Sequence, residues 1–337
     1  MKIKQVGSSS RRPSTHTSGH ITALAVSLFL IACAPVGVGA LAAEAAGLDG
    51  PPAVENESES SRATGPAATS PGLPAAPEAA SPTSGGGWLD SWLRRAAEAR
   101  ASQPHTAAPL VTTHNALVQQ FRYDGYVQQD PSGTWTTNSG VGRGIEIIPT
   151  NRMEIAFAVP PYLTHQSTTP SGFGDWSLLV KFRAFSAPEG KGAYYLGFVL
   201  NGTFPTGSAG NSTGHTVWSP AVAFGKGWGN FNLQNTFGGT LPQTGASILG
   251  RTIVLNDVAQ YRIKRVIWPM LEANSTFWSG GRYAGQHQVF LTPGIVIGSF
   301  PITPRLRIAV GAGEQIAVTH FCTYNHRYIL SLRLPFG

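Results

Sequence analysis

From about residue 116 to its end the chain is a succession of segments that alternate apolar and polar residues. The length of these segments is what most limits the fold. About twelve can be marked: 117–128, 140–148, 151–160, 174–186, 193–205, 213–225, 228–241, 250–263, 266–278, 286–299, 304–316 and 324–336. In the seventh, Phe231, Leu233, Phe237 and Leu241 alternate with the polar Asn230, Asn232, Gln234 and Thr236. In the last, Tyr328, Leu330, Leu332, Leu334 and Phe336 oppose Arg327, Ser331 and Arg333. A period of two gives a strand two unlike faces. Strands of water-soluble sandwiches are commonly about 5–6 residues long, whereas a tilted strand needs about 9–11 to cross a bilayer. Segment 140–148 is the weak member, with poor alternation.

The connections alternate as well. Pro149–Asn151, Gly225–Gly227, Ile263–Arg265 and Phe300–Thr303 are short, while Pro161–Phe173, Thr206–Ser212, Pro242–Leu249 and Ser279–Gly285 tend to be longer. Short turns at one end and longer loops at the other are the pattern of outer-membrane barrels. Backbone groups in lipid must pair internally, so such a sheet closes on itself. The expected fold is all-β: a transmembrane antiparallel up-and-down β-barrel of about twelve strands over residues 110–337. Its apolar face would meet lipid and its polar face the lumen. Trp176, Tyr194, Trp218, Trp228, Tyr261, Trp278, Tyr324 and Phe336 fall near strand ends, where interfacial aromatics belong. The competing reading is a secreted β-sandwich, which also alternates but with shorter strands.

Composition agrees with a barrel. Charged residues are only 12% of the chain, and much of its polarity comes from Ser, Thr, Asn, Gln and 40 glycines. The net charge of +7 is not gathered in runs, which argues against a nucleic-acid partner. Two cysteines, Cys33 and Cys322, exclude a disulfide framework or a Cys-based zinc site.

Ahead of the barrel, a basic start, the apolar run 21–32 and Ala40-Leu41-Ala42 read as a signal peptide over residues 1–42. An N-terminal membrane anchor is the weaker alternative, because Pro35 and Gly37 interrupt the run. Leu30-Ile31-Ala32-Cys33 also fits a bacterial lipobox, which leaves acylation of Cys33 open beside ordinary cleavage. Residues 43–109, rich in Ala, Pro, Ser, Glu and Gly, are expected to form a disordered periplasmic linker. Within it Trp88 and Trp92 share one face of a short amphipathic helix over 88–100. That helix is read as an island in the linker, with a membrane contact or a plug of the lumen as alternatives.

Gly172-Phe173-Gly174-Asp175-Trp176-Ser177-Leu178-Leu179-Val180-Lys181-Phe182-Arg183 resembles the G-x-G-D-x-x-L-x-x-K-[YF]-R stretch of the outer-membrane barrel family named for the meta-pathway of phenol degradation. Phe204-Pro205-Thr206-Gly207, Ser219–Leu241 and the closing strand Leu330–Phe336 are similar too, so the resemblance covers roughly residues 140–337. It implies a transporter-like outer-membrane channel or uptake protein in a Gram-negative cell, often associated with small hydrophobic compounds. The chain departs from the usual terminal aromatic of such barrels, since Gly337 follows Phe336. Insertion by the barrel-assembly machinery through the last strand is expected nonetheless.

Alternation assigns Arg122, Arg152, Lys181, Arg183, Arg262, Arg305, Arg307, Arg327 and Arg333 to polar faces, with Asp124, Glu146, Glu154 and Glu272. Nine positive charges against four negative predict a basic lumen. Rings of basic side chains favour anions in a pore, so a porin-like passage for small anionic or hydrophobic solutes is expected. Bracing of the lumen by Arg–carboxylate pairs is the other reading of the same residues. His165, His215, His287, His320 and His326 fall in or near the longer loops without metal-ligand spacing. No G-x-S-x-G, H-E-x-x-H or P-loop pattern occurs. The chain is therefore not expected to be an enzyme or to hold a cofactor or metal. The expected partners are outer-membrane lipids and small-molecule solutes. A structural or adhesive barrel is the alternative function, and a barrel lipid hydrolase the remote one.

Overall fold

The computed structural model describes residues 87–337, so the expected signal peptide, Cys33 and the linker up to residue 86 lie outside the described residues. A helix, α1 (Trp88–Ala101), is followed by an irregular stretch, residues 102–119, and then by the strands. These are β1 (Gln120–Gln129), β2 (Trp135–Gly140), β3 (Gly144–Thr150), β4 (Met153–Ala158), β5 (Tyr162–His165), β6 (Gly172–Phe173), β7 (Trp176–Ala187) and β8 (Tyr194–Phe204). Then come β9 (Val217–Trp228), β10 (Phe231–Pro242), β11 (Arg251–Tyr261), β12 (Ile267–Ser279), β13 (His287–Thr303), β14 (Leu306–Ala317) and β15 (His326–Pro335).

All of them join one antiparallel sheet, and β1 pairs with β15 from Gln120↔Pro335 to Gln129↔His326, which closes the wall. The β1 strand pairs with β2 in its upper half and β3 in its lower half. The pairs β2/β3, β4/β5 and β6/β7 are thus interrupted single staves, and the wall is a closed barrel of 12 staves. The poor alternation of 140–148 has a structural cause. Gly140, Val141 and Gly142 have φ of 107°, 46° and 63° and turn the chain out of the ladder. Pro160 and Pro161 lie across from them and have no N–H to offer. A Cβ on Gly140 would stand 3.3 Å from Pro161 Cα, so the two staves meet backbone to backbone at the break.

The faces are inverted relative to a protein in water. Phe185, Phe237 and Leu330 on the outside are 65%, 55% and 69% exposed, while Glu154, Glu272 and Arg122 inside are 0%, 0% and 1% exposed. Exposed apolar surface on this scale is favourable only against hydrocarbon. No helix among the described residues is long and apolar enough to cross a membrane, and the strands do the crossing. The tight turns β3–β4, β7–β8, β9–β10, β11–β12 and β13–β14 surround one mouth, together with α1 and the C-terminus. The loops β1–β2, β5–β6, β8–β9, β10–β11, β12–β13 and β14–β15 surround the other. Part of the expected loop Pro161–Phe173 is strand, because β5 and β6 extend the wall as a small hairpin.

Candidate functional site: the filled lumen

Eight-stranded barrels are about wide enough for side chains to fill them, and 16–18 strands leave a water channel. A twelve-stave wall falls between, and here its own chain completes the filling: residues 102–119 run through the lumen. The helix expected over 88–100 is α1, whereas residues 102–109 of the expected linker are lumen-filling chain, although their composition reads as disordered. Irregular backbone at membrane depth requires partners, and the wall supplies them from side chains. The Glu272 carboxylate accepts three successive N–H groups: Leu110 at 2.5 Å, Val111 at 3.1 and 3.2 Å, and Thr112 at 2.8 Å. Arg333 donates to the carbonyls of Ala108 at 2.5 Å and Pro109 at 3.1 Å, and Arg122 to those of Pro109 at 2.8 Å and Leu110 at 3.0 Å. Gln260 both donates to Ala107 O at 2.8 Å and accepts from its N–H at 3.2 Å. Lower down, Arg183 donates to Ala99 O at 2.7 Å and Arg100 to Gly337 O at 2.9 Å, which ties α1 across the short-turn mouth.

Packing matches this polar pinning. Gly311 and Gly313 on β14, with Gly294 on β13, leave a dent in the inner wall, and Leu110 occupies it. A Cβ on Gly313 would lie 2.5 Å from Leu110 Cδ1, and one on Gly311 2.9 Å from Cδ2. Around the dent Val258, Trp268, Met270, Val296, Ala309 and Ile329 form an apolar cluster with Ala107 and Leu110. A second cluster joins Ala96 and Ala99 of α1 and Leu117 to Ile148, Tyr195, Val199 and Ala223. The inner face is thus apolar where the enclosed chain packs and polar elsewhere.

The assigned charges separate by height along the strands. Arg122, Lys181, Arg183, Glu272 and Arg333 are buried inside the barrel, at 1%, 3%, 7%, 0% and 3% exposure. Arg327 is half-buried near the long-loop mouth, over the rings of Tyr126 and Tyr324 at 4.1 and 3.9 Å. Arg262 sits at the short-turn mouth, 2.6 Å from Glu189 and over Trp268. Arg152, Arg305 and Arg307 do not line the lumen. They are exposed at the short-turn rim, because alternation fixes the face of a strand and not the level a residue reaches. Tyr324 is also not an interfacial residue: it points inward, stacked on Phe290 at 4.3 Å with its hydroxyl donating to Gln315 at 2.6 Å. The carboxylates find partners within the barrel. Lys181 meets Glu154 at 2.7 Å, and Asp124 lies 2.7 Å from Arg122 and 3.4 Å from Arg143. Among the loop histidines, His165 contacts Asn211, His215 contacts Thr244 and His326 contacts Glu314, each on its own.

Two cavities flank the enclosed chain. One of about 520 Å³ opens toward the long-loop mouth and is lined by Lys181, Glu154, Asn201, Thr236 and Asn256, with Pro220 and Val199 as apolar wall. Val141, Gly142 and Pro161, at the break between staves, also border it. The other, about 240 Å³, lies toward the short-turn mouth beside Arg100, Trp268 and Arg333. His114 lines both, and its Nε2 lies 2.8 Å from Thr106 Oγ1, so this pair is the partition between them. Sequence reasoning missed the partition and the glutamines that hold the enclosed chain. The signal was present, since Trp268, Met270 and Ile329 are apolar residues at inward positions.

A closed, apolar-out antiparallel wall around a filled polar lumen defines a transmembrane β-barrel of the outer-membrane type. Among solved structures, an outer membrane channel from Pseudomonas putida F1 superposes with a TM-score of 0.50 at 14% identity, covering 68% of this chain and 100% of that one. The translocator domain of the autotransporter NalP from Neisseria meningitidis gives 0.36 at 12% identity, covering 65% and 87%. The first likeness is one of fold. No family model matches the sequence, and comparison with curated proteins yields no match.

Proposed function

We propose that the protein is an outer-membrane channel for small solutes whose resting lumen is closed by its own residues 102–119. The observation that carries this reading is the way the lumen is filled. The filling chain is held by side-chain hydrogen bonds and one apolar dent, and a 520 Å³ chamber stands on top of it. Solute would collect in that chamber among Lys181, Glu154, Asn201 and Thr236, and pass the His114–Thr106 partition when the enclosed chain shifts. The chamber carries both charged and apolar walls, which suits small amphiphilic or anionic compounds. The resemblance to the meta-pathway barrel family supports the uptake of small hydrophobic compounds in particular. The short-turn mouth, which holds α1 and the chain's end, would face the periplasm, and β15 would present the assembly signal.

Liposome swelling with solutes of graded size tests this. The account predicts entry of compounds that fit the chamber and exclusion of larger ones, with rates raised when Glu272→Ala loosens the enclosed chain. Impermeability to every solute, in the wild type and in E272A alike, would refute a channel.

A further inference from the structure

We propose that the short-turn mouth is a binding surface for anionic phospholipid headgroups, a property independent of whether the barrel conducts. The two mouths carry very different charge. On the short-turn rim Arg152, Lys191, Lys264, Arg265, Arg305 and Arg307 are all exposed, and they come from four separate turns spaced around the wall. On the long-loop rim the exposed cations are Arg251 and Arg282. Acids do not cancel the short-turn cations. Glu189 is engaged by Arg262 at 2.6 Å, and Asp90 reaches only Arg305, at 3.5 Å with the arginine side chain still 66% exposed. The exposed Glu98 of α1 is matched by the exposed Arg94 and Arg95 of the same helix.

The level of these cations is as informative as their number. In three of the four turns the cations stand within a few residues of a large exposed apolar side chain on the outer wall. Phe185 and Tyr194 flank Lys191, Tyr261 and Ile263 precede Lys264, and Phe300 and Ile302 precede Arg305. Aromatics at strand ends mark the edge of the hydrocarbon. Cations one step beyond that edge stand at the depth of lipid phosphates, where an anionic surface attracts each Lys or Arg. In an outer membrane the leaflet that meets the periplasmic mouth is built of phospholipid, and the leaflet at the other mouth carries phosphorylated glycolipid. The sparse cations of the long-loop rim favour the first partner over the second.

The test uses the full chain reconstituted in vesicles of phosphatidylcholine with spin-labelled phosphatidylglycerol or phosphatidylcholine as probes of the lipid annulus. The proposal predicts that phosphatidylglycerol is preferred, by about five-fold at a site beside one cation, and that 1 M salt weakens the preference. R152Q/K191Q/K264Q/R265Q/R305Q/R307Q should bring the two lipids to parity, while R251Q/R282Q leaves the preference intact. Retained resistance to SDS at room temperature would show that each variant is folded. Equal affinity for the two lipids in the wild type would overturn the proposal. So would a preference that survives the six-fold variant or disappears in R251Q/R282Q, the last assigning the phosphate contact to the glycolipid side.

Discussion

The wall and the chain it encloses meet the same requirement by different means. In the wall, backbone pairs with backbone: β11 and β12 run in register from Arg251↔Ser279 to Gln260↔Met270 without a shift. In residues 102–119 the backbone pairs with side chains, among them Glu272, Arg333, Arg122 and Gln260. A ladder held on both sides opens only with its neighbours. A segment held by separate side chains can exchange them singly for water or solute. The difference separates a permanent container from a removable filling, and mutations should reveal it.

The largest effect is expected in the wall. Ala259 lies inside β11, two residues from its end, paired with Leu233 on one side and Leu271 on the other. Ala259→Pro removes a ladder donor at a cost of about 3 kcal/mol or more. It should abolish the heat-modifiable folded band on a gel. Next comes Glu272→Ala, which takes the acceptor from three buried N–H groups. The seated state should lose roughly 3 kcal/mol, so that bilayer conductance appears while the folded band is unchanged. Gly313→Val should act more weakly, by about 1–3 kcal/mol of overpacking against Leu110. The added Leu110→Ala should partly reverse it, a coupling that independent sites would not show.

The smallest effect lies in the long loops. The Asp175 carboxylate accepts from Gly207 N–H at 3.0 Å and from Thr213 N–H and Oγ1 at 2.8 and 2.9 Å, clasping the β8–β9 loop. Burial raises its pKa, but the donors of Ser212, Thr213 and Gly207 outweigh burial and hold it below the ordinary 3.8. A depressed folded pKa means that the clasp is fully stabilising above pH 3.8 and is lost as pH falls through the lower folded value. Protection of residues 205–216 from hydrogen exchange, corrected for the intrinsic rate at each pH, should therefore fall at pH 3 relative to pH 7, and Asp175→Asn should show the lower protection at both.

The wall was legible because lipid and lumen impose a two-residue period along whole strands. Nearly every segment marked from the sequence overlies an observed stave. The segment that read poorly, 140–148, is the one that Gly140–Gly142 bend out of the ladder. The filling was not legible from its own composition. Its order comes from partners such as Glu272, Arg333 and Gly313, which are between 160 and 225 residues away for the two charged groups. Only the wall carried a trace of it, in the inward Trp268, Met270 and Ile329, which a water-lined pore would not need. Arg152, Arg305 and Arg307 had the right face but lay beyond the lumen's end.

The central claim is that the conducting path is the space now held by residues 102–119. Thr112 Oγ1 on the enclosed chain and Asn274 Nδ2 on β12 are 3.1 Å apart, so cysteines at the two positions lie within reach of a short thiol-reactive cross-linker whose disulfides a reductant cleaves. The decisive measurement is planar-bilayer conductance of E272A carrying T112C and N274C, with Cys33 and Cys322 replaced by Ser. The account predicts silence while the cross-link is intact and conductance within minutes of adding a reductant. Equal conductance in the cross-linked and reduced protein, with the cross-link verified by mass spectrometry, would contradict it.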